Sequence, residues 1–160
     1  MGLDVYGYRD VAITYDEDDY DFIVSVIDDN WKYKVENLSY GDKYIGEKVD
    51  ASVSYGYGMH NRFREELIRI IGRNDLIVND RIDWDKLCAD NTIPFYELIN
   101  FADNEGCLDY KISEKLYDEF LEWKDIAITY CGDNLRLKGY YLDWLEIFKY
   151  TRDNGVVVFT

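Results

Sequence analysis

The sequence predicts an α+β fold, because candidate strands fill the first third of the chain, candidate helices follow, and one further strand ends it. The 160 residues fit a single acidic domain over residues 1–160, and no linker rich in glycine or serine divides them. Hydrophobic residues make up 48% of the chain, which is typical of a protein with a buried core. We expect an N-terminal antiparallel sheet packed by about four helices, with the C-terminal strand returning to the sheet.

Alternating apolar and polar residues predict most of the strands. The alternation occurs in residues 4–8, 31–35 and 48–55, and residues 21–27 form a β-branched run suited to a buried strand. Turn-forming residues follow the segments at 21–27 and 31–35. Residues 156–159 form the expected C-terminal strand, which an Asn-Gly turn precedes.

Apolar residues at helical spacing predict the helices. Three long apolar faces are, in chain order, Phe63, Leu67, Ile70 and Ile71; then Ile112, Leu116, Phe120, Trp123 and Ala127; then Leu137, Tyr141, Trp144, Leu145 and Phe148. Asn61 and Ser113 are the expected N-caps of the first two, and Gly72 is the expected C-terminal glycine of the first. A short helix is expected with Pro94 in its first turn, and an aspartate within residues 83–85 is expected to cap another.

The formal charge of −15 bears on the partners of this protein. Residues 1–50 carry 13 acidic and 5 basic side chains, whereas residues 111–160 carry 9 and 7. Because acidic side chains oppose the release of counterions from nucleic acid, direct nucleic-acid binding is disfavoured. The same charge steers the protein toward basic surfaces. The alternative is that the carboxylates only maintain solubility.

The cysteines indicate a reducing environment and disfavour structural staples. Cys88, Cys107 and Cys131 are odd in number and lack CxxC spacing, so neither a disulfide framework nor a zinc site is expected. Free thiols suit the cytoplasm. No apolar run approaches the length of a membrane span, so no membrane partner is expected. With one histidine and dispersed carboxylates, we expect no metal and no cofactor, and an enzyme is the less favoured class.

The first candidate site is the acidic, tyrosine-flanked segment at residues 15–21. Its residues are Tyr15, Asp16, Glu17, Asp18, Asp19, Tyr20 and Asp21. Carboxylates spaced along an edge can imitate phosphates, and tyrosine supplies rigid contact area at low entropic cost. We interpret the segment as a surface for a basic protein partner. The alternative is a solvated loop.

The second candidate site is the glycine-containing segment at residues 54–64, where a strand is expected to run into a helix. Glycines let backbone N–H groups approach a ligand, and a helix N-terminus favours anions. The residues of this hypothesis are Tyr55, Gly56, Gly58, His60, Asn61, Arg62 and Arg64, together with Asp103 and Glu105. They predict a pocket for a nucleotide or another phosphorylated signal. The alternative is a turn whose charges pair locally, Arg62 with Glu66 and Glu65 with Arg69.

The third candidate site is the pair of carboxylates at Asp103 and Glu105, just before Gly106. Two carboxylates so close together can bind a divalent cation or act as acid and base, and with Arg62 they define a possible enzyme. The loop lacks the acid spacing of an EF-hand. The alternative is a tight turn in which Asp103 caps backbone groups.

Four sequence segments resemble a group of uncharacterised bacterial and bacteriophage proteins. They are MGLDVY at residues 1–6, NRFR at 61–64, PFYELINF at 94–101 with the following Asp103 and Glu105-Gly106, and NGVVVF at 154–159. The resemblance reaches both ends and the middle of the chain, whereas the acidic stretch at residues 10–29 lies outside it. It implies a phage or prophage protein acting in the bacterial cytoplasm, and it transfers no catalytic residue.

Together these observations favour a non-catalytic acidic binding protein. We expect it to dock on a basic host protein, either a defence protein or one that handles nucleic acid, and to inhibit it. Capture of a nucleotide or phosphorylated signal at residues 56–64 is the alternative function, and an enzyme using Asp103, Glu105 and Arg62 is the third.

Overall fold

A computed structural model of the chain describes residues 2–24, 37–101 and 106–160, and it confirms the predicted α+β fold. The strands are β1 (Gly2–Thr14), β2 (Phe22–Ile23), β3 (Lys43–Gly56), β4 (Ile77–Val78), β5 (Arg81–Ile82), β6 (Gly106–Asp109) and β7 (Val156–Phe159). All except β4 and β5 form one antiparallel sheet in the order β2-β3-β1-β7-β6. The C-terminal strand β7 therefore returns to the sheet, as predicted, and lies between β1 and β6. The predicted strand at 31–35 lies outside the described residues.

The helices follow the first long strands along the chain. They are α1 (Tyr57–Ile70), α2 (Trp84–Ala89), α3 (Tyr96–Asn100), α4 (Tyr110–Glu122), α5 (Lys124–Cys131) and α6 (Leu135–Thr151). The described residues thus form more helices than the sequence predicts, partly because the expected long helix divides at Trp123, whose ψ of 1° interrupts the helical geometry. None of these helices in the described parts of the chain combines the length and the apolar character that a membrane span needs.

Strands β1 and β3 are long and extend beyond β7 and β6. They pair from Gly2 with Gly56 to Thr14 with Lys43, whereas β7 pairs with β1 only as far as Tyr8. Two bulges interrupt the β1–β3 register, and Asp10 within the second adopts a left-handed φ of 50°. Bulges bend a strand and increase its twist. Residues 9–14 and 43–47 consequently extend past the end of β7, and β2 pairs with the first two residues of β3 there. We call these two segments, 9–14 and 43–47, the β-arm.

The main core lies between the sheet and the helices. Trp144, Tyr141 and Phe148 of α6 are fully buried and pack with Phe63 of α1 and Phe159 of β7. Aromatic side chains of this size stabilise a fold by several kcal/mol each, typically about 3–5 kcal/mol against alanine. The predicted apolar faces of α1, α4 and α6 therefore account for this core.

A second apolar cluster lies on the opposite face of the sheet. Tyr8, Phe22 and Tyr44 join three strands there, with ring centroids 5.3 Å and 5.5 Å apart in successive pairs. Cys107 and the valines Val24, Val156 and Val158 complete the cluster. Both faces of β7 are thus buried, which explains the continuous apolar run at residues 156–159.

Several helix ends differ from the sequence prediction. Helix α1 begins after Gly56, so Asn61 lies within it and not at its N-cap. Helix α4 is capped by Asp109, whose carboxylate accepts a hydrogen bond from Ile112 N at 3.0 Å. Ser113 is instead buried inside that helix, with its hydroxyl oxygen 3.0 Å from that of Thr151. Helix α4 therefore begins at a capping side chain that lies earlier in the chain than the predicted one. Helix α1 begins after an extended glycine that provides no side-chain cap.

The remaining predicted ends are a mixture of confirmed and corrected positions. Asp83 caps α2 by accepting from Lys86 N, and Gly72 follows α1 with a φ of 74°, as predicted. Pro94 is not in the first turn of α3, because Phe95 precedes that helix in a left-handed conformation with a φ of 64°. All three cysteines are free thiols, of which only Cys88 is exposed.

Candidate functional site

The segment at residues 15–21, which we call the acidic loop, connects β1 to β2 at the end of the β-arm. Its five carboxylates and two tyrosines are all exposed, and 88% of Tyr15 is accessible to solvent. The loop starts with local hydrogen bonds: Asp16 N donates to Thr14 Oγ1 at 3.2 Å, and Asp18 N donates to Asp16 Oδ1 at 3.0 Å. An aspartate that binds the backbone two residues later favours a tight turn.

Two longer-range contacts tie the acidic loop to β3. Lys43 Nζ lies 3.0 Å from the Glu17 carboxylate and 4.8 Å from the centre of the Tyr20 ring. The Asp21 carboxylate accepts a hydrogen bond from Gly46 N at 2.8 Å. Glu17 and Asp21 therefore serve to hold the loop on the β-arm, and their charges are partly used within the molecule.

The other carboxylates of the loop remain open to a partner. The carboxylates of Asp18 and Asp19 neither accept a hydrogen bond nor form an ion pair within the part of the chain that the structure describes. Asp16 uses one oxygen for the local turn and is exposed. The loop thus presents three available carboxylates on a locally fixed backbone.

Apolar side chains lie exposed beside these charges. Ile13 and Ile45 on the β-arm are 41% and 40% accessible, and Tyr20 in the loop is 41% accessible. Protein interfaces commonly combine an apolar or aromatic centre with a charged rim. The sequence analysis identified the tyrosines but missed Ile13 and Ile45, which the strand pairing leaves uncovered.

The structure divides the residues of the predicted pocket at 55–64 between the core and the surface, where Gly58, Asn61 and Arg62 line an open depression. Tyr55, His60 and Arg64 are buried in the core, whereas Gly56 and Gly58 are exposed. Because α1 places residues four apart on one face, His60 and Arg64 both point away from the side chain of Arg62. His60 and Arg64 are therefore directed into the core while Arg62 faces solvent, and ligand binding by the exposed part of this segment stays a prediction.

A hydrogen-bonded network accounts for the buried His60. Trp144 Nε1 donates to the Tyr55 hydroxyl oxygen at 3.1 Å, that hydroxyl lies 2.9 Å from His60 Nδ1, and His60 Nε2 lies 3.1 Å from the Phe101 carbonyl oxygen. These contacts fit a neutral imidazole that accepts at Nδ1 and donates at Nε2. Burial, together with the Arg64 guanidinium, lowers the pKa of His60 to about 3. Burial also raises the pKa of Tyr55.

Arg64 is likewise engaged inside the protein. Its guanidinium donates to the Ile99 carbonyl oxygen at 2.9 Å and to the side-chain oxygen of Asn61, and it lies 4.9 Å from the centre of the Trp84 ring. These contacts connect α1 to α2 and α3. Arg64 thus has a structural role, whereas Asn61 contacts it from the exposed surface of α1.

Arg62 is exposed on a different side of α1. It lines a groove of about 270 Å³ between α1 and the beginning of α6, which we call the interhelical groove. The groove is lined by Met59, Arg62, Phe63, Glu66, Asn134, Arg136, Leu137 and Tyr140. The residues from α6 lie more than 70 positions from Arg62 along the chain, so no local motif could have identified them.

The third candidate site is the carboxylate pair of Asp103 and Glu105. Asp103 and Glu105 lie outside the described residues, so their use with Arg62 as an enzyme stays a prediction. Within residues 2–24, 37–101 and 106–160, no group of three histidine, cysteine or acidic side chains is arranged to hold a metal ion.

Comparison of the chain with protein-family models, curated proteins and solved structures finds no match. We therefore infer function from the residues and their geometry.

Proposed function

We propose that this protein is a non-catalytic binding protein that docks on a basic protein through the acidic loop and the adjoining β-arm. The observation that carries the proposal is the loop itself, in which Lys43 and the Gly46 N–H hold Glu17 and Asp21 while Asp16, Asp18 and Asp19 face solvent. A surface of this kind matches a partner that presents lysine or arginine side chains.

The fixed backbone of the loop favours binding. A loop that is already ordered loses less conformational entropy when it binds, so more of the contact energy appears as affinity. The contacts of Lys43 with Glu17 and Tyr20 and the hydrogen bond between Asp21 and Gly46 supply this order.

The exposed apolar residues supply contact area next to the charges. Tyr15 is the most exposed large apolar side chain of the described residues, and Ile13 and Ile45 lie nearby on the β-arm. Burying such side chains contributes about 25 cal/mol for each Å² removed from water. In this proposal the carboxylates guide association and select a basic partner, while the tyrosine and isoleucines stabilise the complex.

The overall charge restricts the class of partner. A net charge of −15 repels nucleic acid but attracts proteins that bind it. The resemblance to bacterial and bacteriophage proteins supports a bacterial host protein, in the cytoplasm, as the target. We therefore propose that the protein inhibits a defence or nucleic-acid-handling protein. The available carboxylates of Asp16, Asp18 and Asp19 occupy the basic surface of that protein in place of phosphates.

Comparative affinity capture from bacterial lysate tests this proposal. The wild type is compared with a triple variant, Asp16→Asn, Asp18→Asn and Asp19→Asn, which leaves the two anchoring carboxylates intact. If each carboxylate meets one basic group at about 0.5 to 1 kcal/mol, the triple variant binds about 10- to 100-fold more weakly. Quantitative mass spectrometry of the captured basic proteins measures this loss.

A control variant separates the loop from the total charge. Glu114→Gln, Asp118→Asn and Glu122→Gln remove the same three charges from the exposed side of α4. The proposal expects this control to retain the partner to within about 3-fold, since distant exposed charges are largely screened. Equal capture by the wild type and both variants, or equal loss in both variants, would contradict a specific role of the loop.

A further inference from the structure

Two arginines and one carboxylate, Arg62, Arg136 and Glu66, line the interhelical groove. The alternative interpretation of this segment in the sequence is an ion pair between Arg62 and Glu66 one turn later, but the structure does not contain that pair. Glu66 lies 3.4 Å from Arg69 and also accepts a hydrogen bond from the Tyr130 hydroxyl. Arg62 consequently makes no ion pair or hydrogen bond with another described residue.

Arg136 reaches the same groove from the first turn of α6. It too forms no ion pair or hydrogen bond within the part of the chain that the structure describes. Four other arginines, Arg9, Arg69, Arg73 and Arg152, each pair with a carboxylate. An anion bound in the groove can accept charge-assisted hydrogen bonds from both guanidinium groups.

The wall of the groove is apolar and aromatic. Tyr140 is half-buried and meets the rings of Tyr55 and Phe63 edge-on, with centroids 4.9 Å and 6.4 Å away. These contacts fix the orientation of the Tyr140 ring. Met59 and Leu137 extend the apolar surface beside it. A planar ligand ring can pack on such a wall, since aromatic pairs gain beyond the area that they bury.

We propose that the interhelical groove binds a small organic anion that combines a planar ring with a phosphate or carboxylate group. The anionic group lies between Arg62 and Arg136, and the ring packs against Tyr140 and Met59. A cavity of about 270 Å³ that is open on one side accommodates a ligand of the size of a nucleoside monophosphate. The proposal is independent of the acidic loop, because it rests on different residues and on the opposite charge.

Isothermal titration with defined probes tests the proposal. The probes are adenosine 5′-monophosphate, benzoate, adenosine and inorganic phosphate, so that ring and anion are tested together and apart, and phosphate is distinguished from carboxylate. We expect one ring-bearing anion to bind more tightly than adenosine or phosphate alone. Arg62→Gln and Arg136→Gln each weaken its binding about 10-fold or more, because each removes a charge-assisted hydrogen bond.

Arg81→Gln provides the matched control. Arg81 is an exposed arginine on β5 that does not line the groove, so this variant makes the same charge change elsewhere. The control should bind the probe to within about 2-fold of the wild type, because a remote exposed charge is screened. Because Arg62 and Arg136 are exposed, circular dichroism should show all three variants folded. The proposal is overturned if neither ring-bearing anion binds at about 5 mM, or if the groove variants bind as tightly as Arg81→Gln.

Discussion

The buried His60 makes the stability of this protein depend on pH, and one substitution isolates its contribution. The pKa of His60 is about 3 in the folded chain, whereas a histidine in an unfolded chain has a pKa of about 6.5. Above pH 6.5 the imidazole is neutral in both the folded and the unfolded state, so it does not make the free energy of unfolding depend on pH. Below pH 6.5, the imidazole binds a proton in the unfolded state but not in the folded state. The free energy of unfolding therefore falls until the pH reaches the pKa of the folded state.

The size of this effect follows from the two pKa values. Each pH unit within the window removes about 1.4 kcal/mol from the free energy of unfolding. Between pH 7.5 and pH 5.0, His60 alone therefore removes about 2 kcal/mol. His60→Gln lacks the titrating group and is expected to lack this loss, although the variant is less stable at neutral pH because it disturbs the hydrogen bonds with Tyr55 and Phe101.

Urea unfolding of the wild type and His60→Gln at pH 7.5, 6.5 and 5.0 measures the difference. The carboxylates titrate in both proteins and cancel, so the stability advantage of the wild type should shrink by about 2 kcal/mol at pH 5.0. An advantage that stays constant across this range would refute the reasoning. If the variant does not fold, the ring resonances of the single histidine in the wild type answer the same question, because they should show no titration above pH 5.

Two further predictions concern the fold, and both are read from equilibrium urea unfolding. A Cβ on Gly155 would lie 2.5 Å from the Tyr8 carbonyl oxygen, so Gly155→Ala should cost about 2 kcal/mol or more. Gly139→Ala, in an open part of α6, should stabilise the fold by about 0.5 to 1 kcal/mol. Similar effects of the two substitutions would contradict the close contact at Gly155 and the open space at Gly139. Asp109→Ala should lower the free energy of unfolding by about 2 to 4 kcal/mol, because it removes the acceptor of the hydrogen bonds from Ile112 N and Asn37 N. Ser113→Ala should cost only about 1 kcal/mol, and the reverse order would restore Ser113 as the cap.

The elements with long, regular apolar patterns could be predicted from the sequence. The spacing of Leu137, Tyr141 and Phe148 matches a buried face of α6, and the apolar run at residues 156–159 matches a strand buried on both sides. Burial of these side chains depends mainly on local periodicity, which a sequence displays directly. The fold class therefore followed from them.

The helix ends were less predictable because they depend on distant contacts. Asp109 and Ser113 are both residue types that cap helices. The structure selects Asp109, whose carboxylate also accepts hydrogen bonds from the backbone and side chain of Asn37, 72 positions away. No local pattern specifies that contact.

The burial of His60 and Arg64, which the pocket hypothesis for residues 55–64 did not expect, had a signal in the sequence. His60, Phe63 and Arg64 lie at helical spacing with Leu67, which places them on one face of α1 and therefore in the core. The glycines suggested a ligand loop instead. Exposure of the acidic loop was expected, but its anchors Lys43 and Gly46 were not, since they lie about 25 positions along the chain.

In the proposed complex, the acidic loop and the β-arm form the surface that contacts the basic protein. Hydrogen–deuterium exchange of the purified complex between this protein and its captured partner locates that contact without altering any charge. We predict that binding slows exchange in residues 9–24 and 43–47 and leaves the exposed side of α4 unchanged. Protection confined to α4 or to the interhelical groove, with unaltered exchange in the acidic loop, would contradict the proposed contact.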